Sequence, residues 1–179
     1  MRNSYNKPEL KSLYYEEEVE KIPSLDGKTI AITGTTSGTG FIAAKTIAEK
    51  GARTLLLNRK TNRSNKSYDL LKEHSPKANF VDVECDLQSF NSVKKAAKTI
   101  TDLCKDGLDV ICNNAGVMAL KDQATIDGFD IQMQTNHLSH FLLTKQLLPL
   151  LETTAEKSCL LYTSPSPRDV EESRMPSSA

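Results

Sequence analysis

A glycine-rich segment between a predicted strand and a predicted helix constrains the fold of this chain most. Residues 28–33, Lys-Thr-Ile-Ala-Ile-Thr, are rich in β-branched side chains and predict a buried strand. Residues 34–40 read Gly-Thr-Thr-Ser-Gly-Thr-Gly, and apolar residues then recur at helical spacing over 41–50. Glycines allow close backbone approach to a phosphate, and a helix N-terminus offers free N–H groups. The segment therefore predicts a phosphate-binding turn. Its spacing differs from Gly-x-Gly-x-x-Gly, so a purely structural glycine turn is the alternative interpretation.

Strands and helices alternate along the rest of the chain. Further strands are predicted at 54–57, 79–84, 108–112 and 159–162, and helices at 68–74, 89–101 and 129–151, with a basic loop at 58–66. Five strands alternating with helices predict a doubly wound parallel sheet, the α/β class. The long helix has two apolar faces, Ile131, Leu138, Phe141, Leu142 and Leu148 on one and Met133, Leu143 and Leu147 on the other. Such a helix is expected to lie between the sheet and another helix or subunit.

Length and charge place limits on the organisation and the partners of the chain. A length of 179 residues with 38% hydrophobic residues fits one domain, at 25–162, after a polar extension at 1–24 with one helical turn. Residues 163–179 are rich in Pro, Ser and charge and predict disorder. The 23 basic residues balance 23 acidic ones, which argues against nucleic-acid binding, and apolar runs of at most four residues predict no membrane span.

The cysteines and histidines predict neither disulfides nor a metal site. Four cysteines occur without a Cys-x-x-Cys pair, and the start of the chain has no apolar stretch of a signal peptide, so reduced thiols in the cytoplasm are expected. His137 and His140 have the spacing of one helix face, but no third ligand is near them in sequence. No metal is therefore expected.

Polar residues follow two more of the predicted strands. Asp86 comes after the third strand, and Asn-Asn-Ala-Gly at 113–116 comes after the fourth. Open α/β sheets bind ligands at the carboxyl ends of their strands. These residues and the glycine-rich turn are therefore expected to line one edge of one sheet.

Together these motifs resemble the short-chain dehydrogenase/reductase family over roughly residues 25–162. The shared motifs are Thr-Gly-x-x-x-Gly-x-Gly at 33–40, Asp86, Asn-Asn-Ala-Gly at 113–116, and Asn-His-Leu-Ser-His-Phe-Leu-Leu-Thr at 136–144. The last motif, with Asp-Gly-Phe at 127–129 before it, resembles the retinol-dehydrogenase and WW-domain-oxidoreductase branch. Thr39 departs from the aliphatic residue that is common in the family at this position.

The resemblance implies a Rossmann fold with a nicotinamide dinucleotide site. It places the pyrophosphate against four residues of the turn, Gly34, Ser37, Gly38 and Gly40. It gives Asp86 a hydrogen bond from the adenine amino group and places the adenosine ribose against Asn114, Ala115 and Gly116. It makes Asn113 a brace between neighbouring strands.

The residues after the second predicted strand distinguish the two nicotinamide cofactors. Leu57 is followed by Asn58, Arg59 and Lys60, and the first carboxylate after them is Asp69. An acidic residue at this position binds the ribose 2′-hydroxyl of NAD, whereas an arginine accommodates the 2′-phosphate of NADP. Arg59 therefore favours NADP over NAD, with a solvated basic surface as the alternative interpretation.

The catalytic residues that the resemblance implies are Asn, Ser, Tyr and Lys. Asn136 matches the Asn, which would bend the long helix and hold a water of the proton relay, and Ser164 is the candidate for the Ser. Tyr would act as the general acid/base, with its pKa lowered by the Lys. No Tyr or Lys follows Ser164, and the one Tyr-x-x-x-Lys, at 68–72, falls on the helix between the second and third strands. We interpret that match as a coincidence.

The sequence therefore favours an incomplete enzyme of this family. Family domains run to about 250 residues, and the residues from about 161 onward resemble translated adaptor sequence, so truncation after the fifth strand is expected. The hypothesis is an NADP-dependent oxidoreductase acting on an alcohol, ketone or aldehyde, inactive as written, with a homo-oligomer of the full-length form left open. The alternative is a non-catalytic dinucleotide-binding or sensor protein of the same fold.

Overall fold

Helices and strands alternate through residues 14–155, the part of the chain that the computed structural model describes. The strands are β1 (Thr29–Thr33), β2 (Arg53–Asn58), β3 (Phe80–Glu84) and β4 (Val110–Cys112). The helices are α1 (Tyr15–Lys21), α2 (Gly38–Glu49), α3 (Asn62–His74), α4 (Phe90–Leu103), α5 (Ile131–Met133), a π-helical segment (Gln134–Leu138) and α6 (Ser139–Ala155). The predicted fifth strand at 159–162 lies outside the described residues.

The four strands form one parallel sheet in the order β3-β2-β1-β4. The strand order reverses between β1 and β4, and the crevice at such a reversal is where doubly wound sheets bind ligands. The predicted doubly wound parallel sheet is confirmed over these four strands.

Alternate residues of the strands contribute to an apolar core on each face of the sheet. On one face, Ala31, Leu55 and Val83 pack with apolar residues of α4 and α6. On the other face, Ile32 and Leu56 pack with apolar residues of α2 and α3. Because both faces are covered, β1 and β2 are buried along nearly their whole length, which explains why they read as continuous apolar runs.

The predicted basic loop at 58–66 is wrong over its second half, because α3 begins at Asn62 rather than near Tyr68. Thr61 caps the helix by accepting a hydrogen bond from the Ser64 amide, and the Ser64 hydroxyl accepts one from the Thr61 amide. This reciprocal pair is a capping box with Ser in the position that Glu or Gln usually occupies. Because Ser64 replaces the usual Glu or Gln, the sequence pattern did not indicate that the helix begins at Asn62.

The predicted long helix at 129–151 begins later and ends later than expected, and it contains a π-helical segment. It starts at Ile131 and ends at Ala155, and the π-helical segment interrupts it after one turn. The wider turn rotates the residues after it relative to those before it. As a result the predicted faces are wrong: Leu143 and Leu147 share the buried side with Ile131, while Met133, Phe141 and Leu148 are exposed.

The N-terminal helix contacts the domain that follows it. The predicted extension at 1–24 contains α1, and the hydroxyl of Tyr15 lies 2.5 Å from that of Thr46 on α2. At the predicted boundary of the domain, the Leu25 amide donates to the Lys50 carbonyl at 2.7 Å. Neither α1 nor any other helix within residues 14–155 is long and apolar enough to cross a lipid bilayer.

Three cysteines of the described part are free thiols, at positions 85, 104 and 112. Cys85 and Cys104 are buried in the core between the sheet and α4. Burial raises the pKa of Cys85 to about 12 and also raises the pKa values of Cys104 and Cys112. A thiol with a raised pKa is a poor nucleophile at neutral pH, so these cysteines act as small apolar residues.

Candidate cofactor site

A groove of about 420 Å³ opens at the carboxyl edge of the sheet, where the segments after all four strands meet. Eight of the nine residues predicted to contact the dinucleotide line it: Gly34, Ser37, Gly40, Arg59, Asp86, Asn114, Ala115 and Gly116. The ninth, Gly38, is the first residue of α2 and is not part of the lining. The sheet thus brings these residues together from four separate parts of the chain.

Two glycines of the turn have no room for a side chain. Gly34 has φ +73°, and a Cβ there would lie 2.8 Å from the Cβ of Ala115. A Cβ on Gly40 would overlap both the Gly34 carbonyl oxygen and the Asn114 side-chain amide. The turn is therefore packed directly against the Asn-Asn-Ala-Gly segment. A glycine turn packed closely at the start of a helix is the arrangement in which doubly wound sheets hold a pyrophosphate.

Asn58 holds the turn in place, a role that the sequence did not predict. Its Oδ1 accepts from the Thr35 amide at 2.9 Å, and its Nδ2 donates to the Thr35 hydroxyl at 2.7 Å. The Ser67 hydroxyl of α3 donates to the Thr35 carbonyl at 2.9 Å. Asn58 and Thr35 are both buried. A polar residue at the end of an apolar strand was the one sequence feature that could have pointed to this clamp.

Two arginines lie on the side of the groove that follows β2. Arg59 is exposed and lines the groove. Arg63, on the first turn of α3, also lines it and donates from Nη2 to the Ser37 hydroxyl at 2.5 Å. The one carboxylate of the lining is Asp86, whose Oδ1 accepts from the Gln88 amide at 2.9 Å. The end of β2 therefore presents positive charge to the groove.

The predicted brace between strands is Asn114 rather than Asn113. Asn114 donates from Nδ2 to the carbonyls of Thr33 and Gly34, at 2.9 and 3.2 Å, and so ties the segment after β4 to the end of β1. Asn113 donates instead to the Thr144 hydroxyl of α6 at 3.0 Å. Side chains of successive residues in extended chain point to opposite sides, which explains why the two asparagines have different partners.

Asn136, the predicted catalytic asparagine, lies in the π-helical segment and binds the backbone of Val117 with both ends of its amide. Its Oδ1 accepts from the Val117 amide and its Nδ2 donates to the Val117 carbonyl, each at 2.8 Å. Val117 lines the groove, so Asn136 fixes one part of the wall. Ser164, the other predicted catalytic residue, lies outside the described residues.

The Tyr-x-x-x-Lys sequence at 68–72 lies on α3, away from the groove. Tyr68 packs against the core between the sheet, α2 and α3. Lys72 donates to the Ala78 carbonyl at 2.9 Å, and its ammonium lies 5.5 Å from the centroid of the Phe80 ring. Both side chains therefore have structural contacts, and neither lines the groove.

His140 joins the helix that carries Asn136 to the strand that ends in the glycine-rich turn. Its Nδ1 lies 3.1 Å from the Asn136 carbonyl, and its Nε2 lies 2.9 Å from the Thr33 hydroxyl. Because a carbonyl only accepts hydrogen bonds, Nδ1 carries the proton and Nε2 of the neutral ring accepts from Thr33. Burial lowers the pKa of His140, against a smaller opposing effect of the bond to Asn136. The ring is therefore held neutral.

The lowered pKa of His140 predicts a loss of stability in mild acid. Below an ordinary histidine pKa near 6.5 the unfolded chain takes up a proton that the folded chain resists. The contribution of His140 is therefore full above this pH and is lost as the pH falls towards the lower folded pKa. We expect urea unfolding between pH 7.5 and 5 to show a smaller loss of stability for His140→Gln than for the unchanged chain. His137→Gln, at an exposed position, is the matched control, and an equal loss for His140→Gln would contradict the assignment.

The structure places the two histidines of this helix differently. His137 is exposed whereas His140 is buried, so their side chains lie in different surroundings. Within residues 14–155, no group of three or more His, Cys, Asp or Glu residues is placed to hold a metal ion.

Comparison with known proteins identifies the family. The model of the short chain dehydrogenase family matches residues 28–164. An oxidoreductase of Schizosaccharomyces pombe is 36% identical over 136 residues, which are 76% of this chain and 40% of that protein. Mouse retinol dehydrogenase 14 is 34% identical over 150 residues, covering 78% of this chain and 45% of the relative.

A solved structure with 29% identity has the same fold. It is the RhlG/NADP active-site complex of Pseudomonas aeruginosa, with a TM-score of 0.59 over 72% of this chain and 49% of that one. The chain thus spans about half the length of the proteins that it matches, or less. It belongs to the short-chain dehydrogenase/reductase family, in agreement with its motifs, and resembles the retinol-dehydrogenase-like branch.

Proposed function

We propose that the chain is the dinucleotide-binding part of an NADP(H)-dependent oxidoreductase that acts on an alcohol, ketone or aldehyde. The observation that carries this proposal is the groove in which a tightly packed glycine turn faces Arg59 and Arg63. A 2′-phosphate needs positive charge beside the adenosine ribose, and the planar guanidinium group of arginine suits it. The complex of the related RhlG with NADP supports the same choice of cofactor.

The residues of the groove fit the parts of such a dinucleotide. The backbone of Gly34 and the first turn of α2 would hold the pyrophosphate, since both line the groove where α2 begins. Asp86 would accept from the adenine amino group, and Arg59 would bind the 2′-phosphate. The bound nicotinamide would supply or accept the hydride. Asn136 would position the wall near Val117, because both ends of its amide hold that residue.

Arg59→Ala is expected to weaken NADPH binding by about 10- to 100-fold and NADH binding by less than about 3-fold. The substitution removes a charge-assisted hydrogen bond, worth about 1.5–3 kcal/mol, that only the 2′-phosphate can make. The dissociation constants of both cofactors can be measured by titration of their fluorescence against the 179-residue chain.

The control for this experiment is Lys98→Ala, which removes the same charge from an exposed position on α4 that pairs with Asp102. It should leave the affinities for both cofactors unchanged. An equal loss for NADPH and NADH in Arg59→Ala would show that Arg59 does not bind the 2′-phosphate. The basic segment after β2 would then be a solvated surface.

The substrate class is proposed from the family and from the names of its relatives. Two matched proteins are retinol dehydrogenases, from mouse and human, so all-trans-retinal belongs in a panel of aldehydes and ketones offered to the longer protein.

We propose the cytoplasm as the compartment, because the cysteines of the described part are free thiols.

A non-catalytic dinucleotide-binding or sensor protein is the second candidate. Such a protein would bind the dinucleotide in the same groove without a Tyr-x-x-x-Lys, which these 179 residues do not contain after Asn136. Sequencing of the source transcript separates the two candidates. A Tyr-x-x-x-Lys in frame downstream of residue 158 supports the enzyme, and a genomic stop codon directly after residue 179 supports the sensor.

A further inference from the structure

One buried hydroxyl in the wall of the groove has no hydrogen-bond partner. Thr135 is 6% exposed, and its Oγ1 is the one buried side-chain oxygen or nitrogen within residues 14–155 that makes no hydrogen bond. Buried hydroxyls nearly always have a partner, because burial without one forfeits the hydrogen bonds that water would provide. A ligand that occupies the groove is a source of such a partner, since Thr135 belongs to the lining.

Thr135 lies beside the loop where the adenine is expected. It precedes Asn136 in the π-helical segment, and Ser139, one turn later, donates to the Leu87 carbonyl at 2.6 Å. This side of the helix therefore packs against the loop that carries Asp86, and Leu87 lines the groove together with Thr135. The position is on the adenosine side of the groove.

A change of χ1 rotamer would turn the hydroxyl of Thr135 towards a ligand. Threonine in a helix divides its population between two χ1 rotamers, which exchange the positions of the hydroxyl and the methyl group. Because Oγ1 makes no hydrogen bond within residues 14–155, the exchange breaks none there. A hydroxyl can both donate and accept, so it suits a ribose hydroxyl or an adenine nitrogen.

We propose that Thr135 Oγ1 hydrogen-bonds the adenosine half of the bound dinucleotide. The proposal rests on the proposed dinucleotide-binding function, and it adds a binding residue that the motifs of the sequence did not predict. In this arrangement the free protein keeps an unsatisfied hydroxyl, and the cofactor supplies the missing partner. The hydroxyl therefore stabilises the complex and not the free chain.

The test compares Thr135→Val, which has nearly the same shape without the hydroxyl, with Thr135→Ser, which keeps it. The probes are NADPH and adenosine 2′,5′-bisphosphate, titrated against the 179-residue chain. For Thr135→Val we expect both dissociation constants to rise by about 5- to 20-fold, as for the loss of one hydrogen bond. Thr135→Ser should stay within about 3-fold of the unchanged chain, and Thr99→Val, at an exposed position of α4, should have no effect.

Thermal unfolding without ligand provides the second readout. Thr135→Val should unfold at the same temperature as the unchanged chain or higher, because it removes a hydroxyl that has no partner in the free protein. A lower unfolding temperature would overturn the proposal, since it would mean that the hydroxyl has a structural partner.

The binding results separate this proposal from the function on which it rests. Unchanged affinities in Thr135→Val, with the unchanged chain binding both probes, would overturn the proposed role of Thr135 alone. A loss confined to NADPH would place the contact on the nicotinamide half and overturn the assignment to adenosine. Failure of the unchanged, folded chain to bind either probe would overturn the proposed function.

Discussion

We expect the Gly40→Ala variant to bind NADPH at least about 100-fold more weakly than the unchanged chain. The added Cβ would overlap the Gly34 carbonyl oxygen, a backbone atom that moves only if the turn moves. Such a shift would separate the turn from the start of α2 and would remove at least two of the hydrogen bonds that we propose the turn makes to the pyrophosphate. At about 1.5–3 kcal/mol for each bond to a charged group, the expected loss exceeds a factor of 100. Fluorescence titration measures it, with circular dichroism as the check on folding.

Gly128→Ala is the comparison that separates the overlap from a general effect of replacing glycine. Gly128 has φ +84°, and no atom lies within 4 Å of the position that its Cβ would take. The strain of this backbone conformation should cost about 1 kcal/mol of stability and leave NADPH affinity unchanged. Native affinity in Gly40→Ala would show that the turn does not need close contact with Asn114 and Gly34 to bind the cofactor.

The 179-residue chain itself is expected to bind NADPH without oxidising it in the presence of aldehydes or ketones. The family resemblance assigns the proton transfer to a Tyr-x-x-x-Lys pair, and no such pair follows Asn136 in these 179 residues. General acid–base catalysis contributes about 10²- to 10⁴-fold to a rate, so turnover should fall below detection. The absorbance of NADPH, followed over a broad carbonyl panel, measures it, and parallel fluorescence titration verifies that the cofactor binds.

Tyr68→Phe provides the decisive variant for this expectation. Tyr68 belongs to the one Tyr-x-x-x-Lys of the chain, and it packs against the core rather than in the groove. Substantial turnover that disappears in Tyr68→Phe would make this tyrosine the general acid/base and overturn our interpretation of the motif as a coincidence.

Local patterns in the sequence were sufficient to predict the four strands that the structure describes and most of the groove. The apolar runs that became β1 and β2 are buried on both faces, so their apolar character is continuous and easily recognised. In a parallel sheet every strand ends at the same edge, so polar residues directly after the strands had to come together. Gly34, Asp86 and Ala115 meet in the groove for this reason.

Features that depend on contacts between distant segments were not predictable in the same way. The clamp of Asn58 on Thr35 and the brace of Asn114 on Thr33 join residues 23 and 81 positions apart. No spacing rule links such pairs. The π-helical segment was likewise not predictable from hydrophobic periodicity. One wider turn rotates the apolar face of the helix, but the apolar residues still recur at helical spacing on either side of it. For this reason the predicted faces of the long helix were wrong.

The bonds around His140 form a row of dipoles that all point the same way. The Ala115 amide donates to the Thr33 hydroxyl at 3.0 Å, that hydroxyl donates to the ring, and the ring donates to the Asn136 carbonyl. Aligned dipoles polarise one another and strengthen each bond in the row. The row begins at a peptide N–H and ends at a carbonyl oxygen, neither of which exchanges its role, so it cannot reverse as a chain of waters can. The row therefore cannot relay protons. Because it links the groove wall at Ala115 to the helix at Asn136, we expect the backbone amides of both regions to lose their protection against hydrogen exchange together.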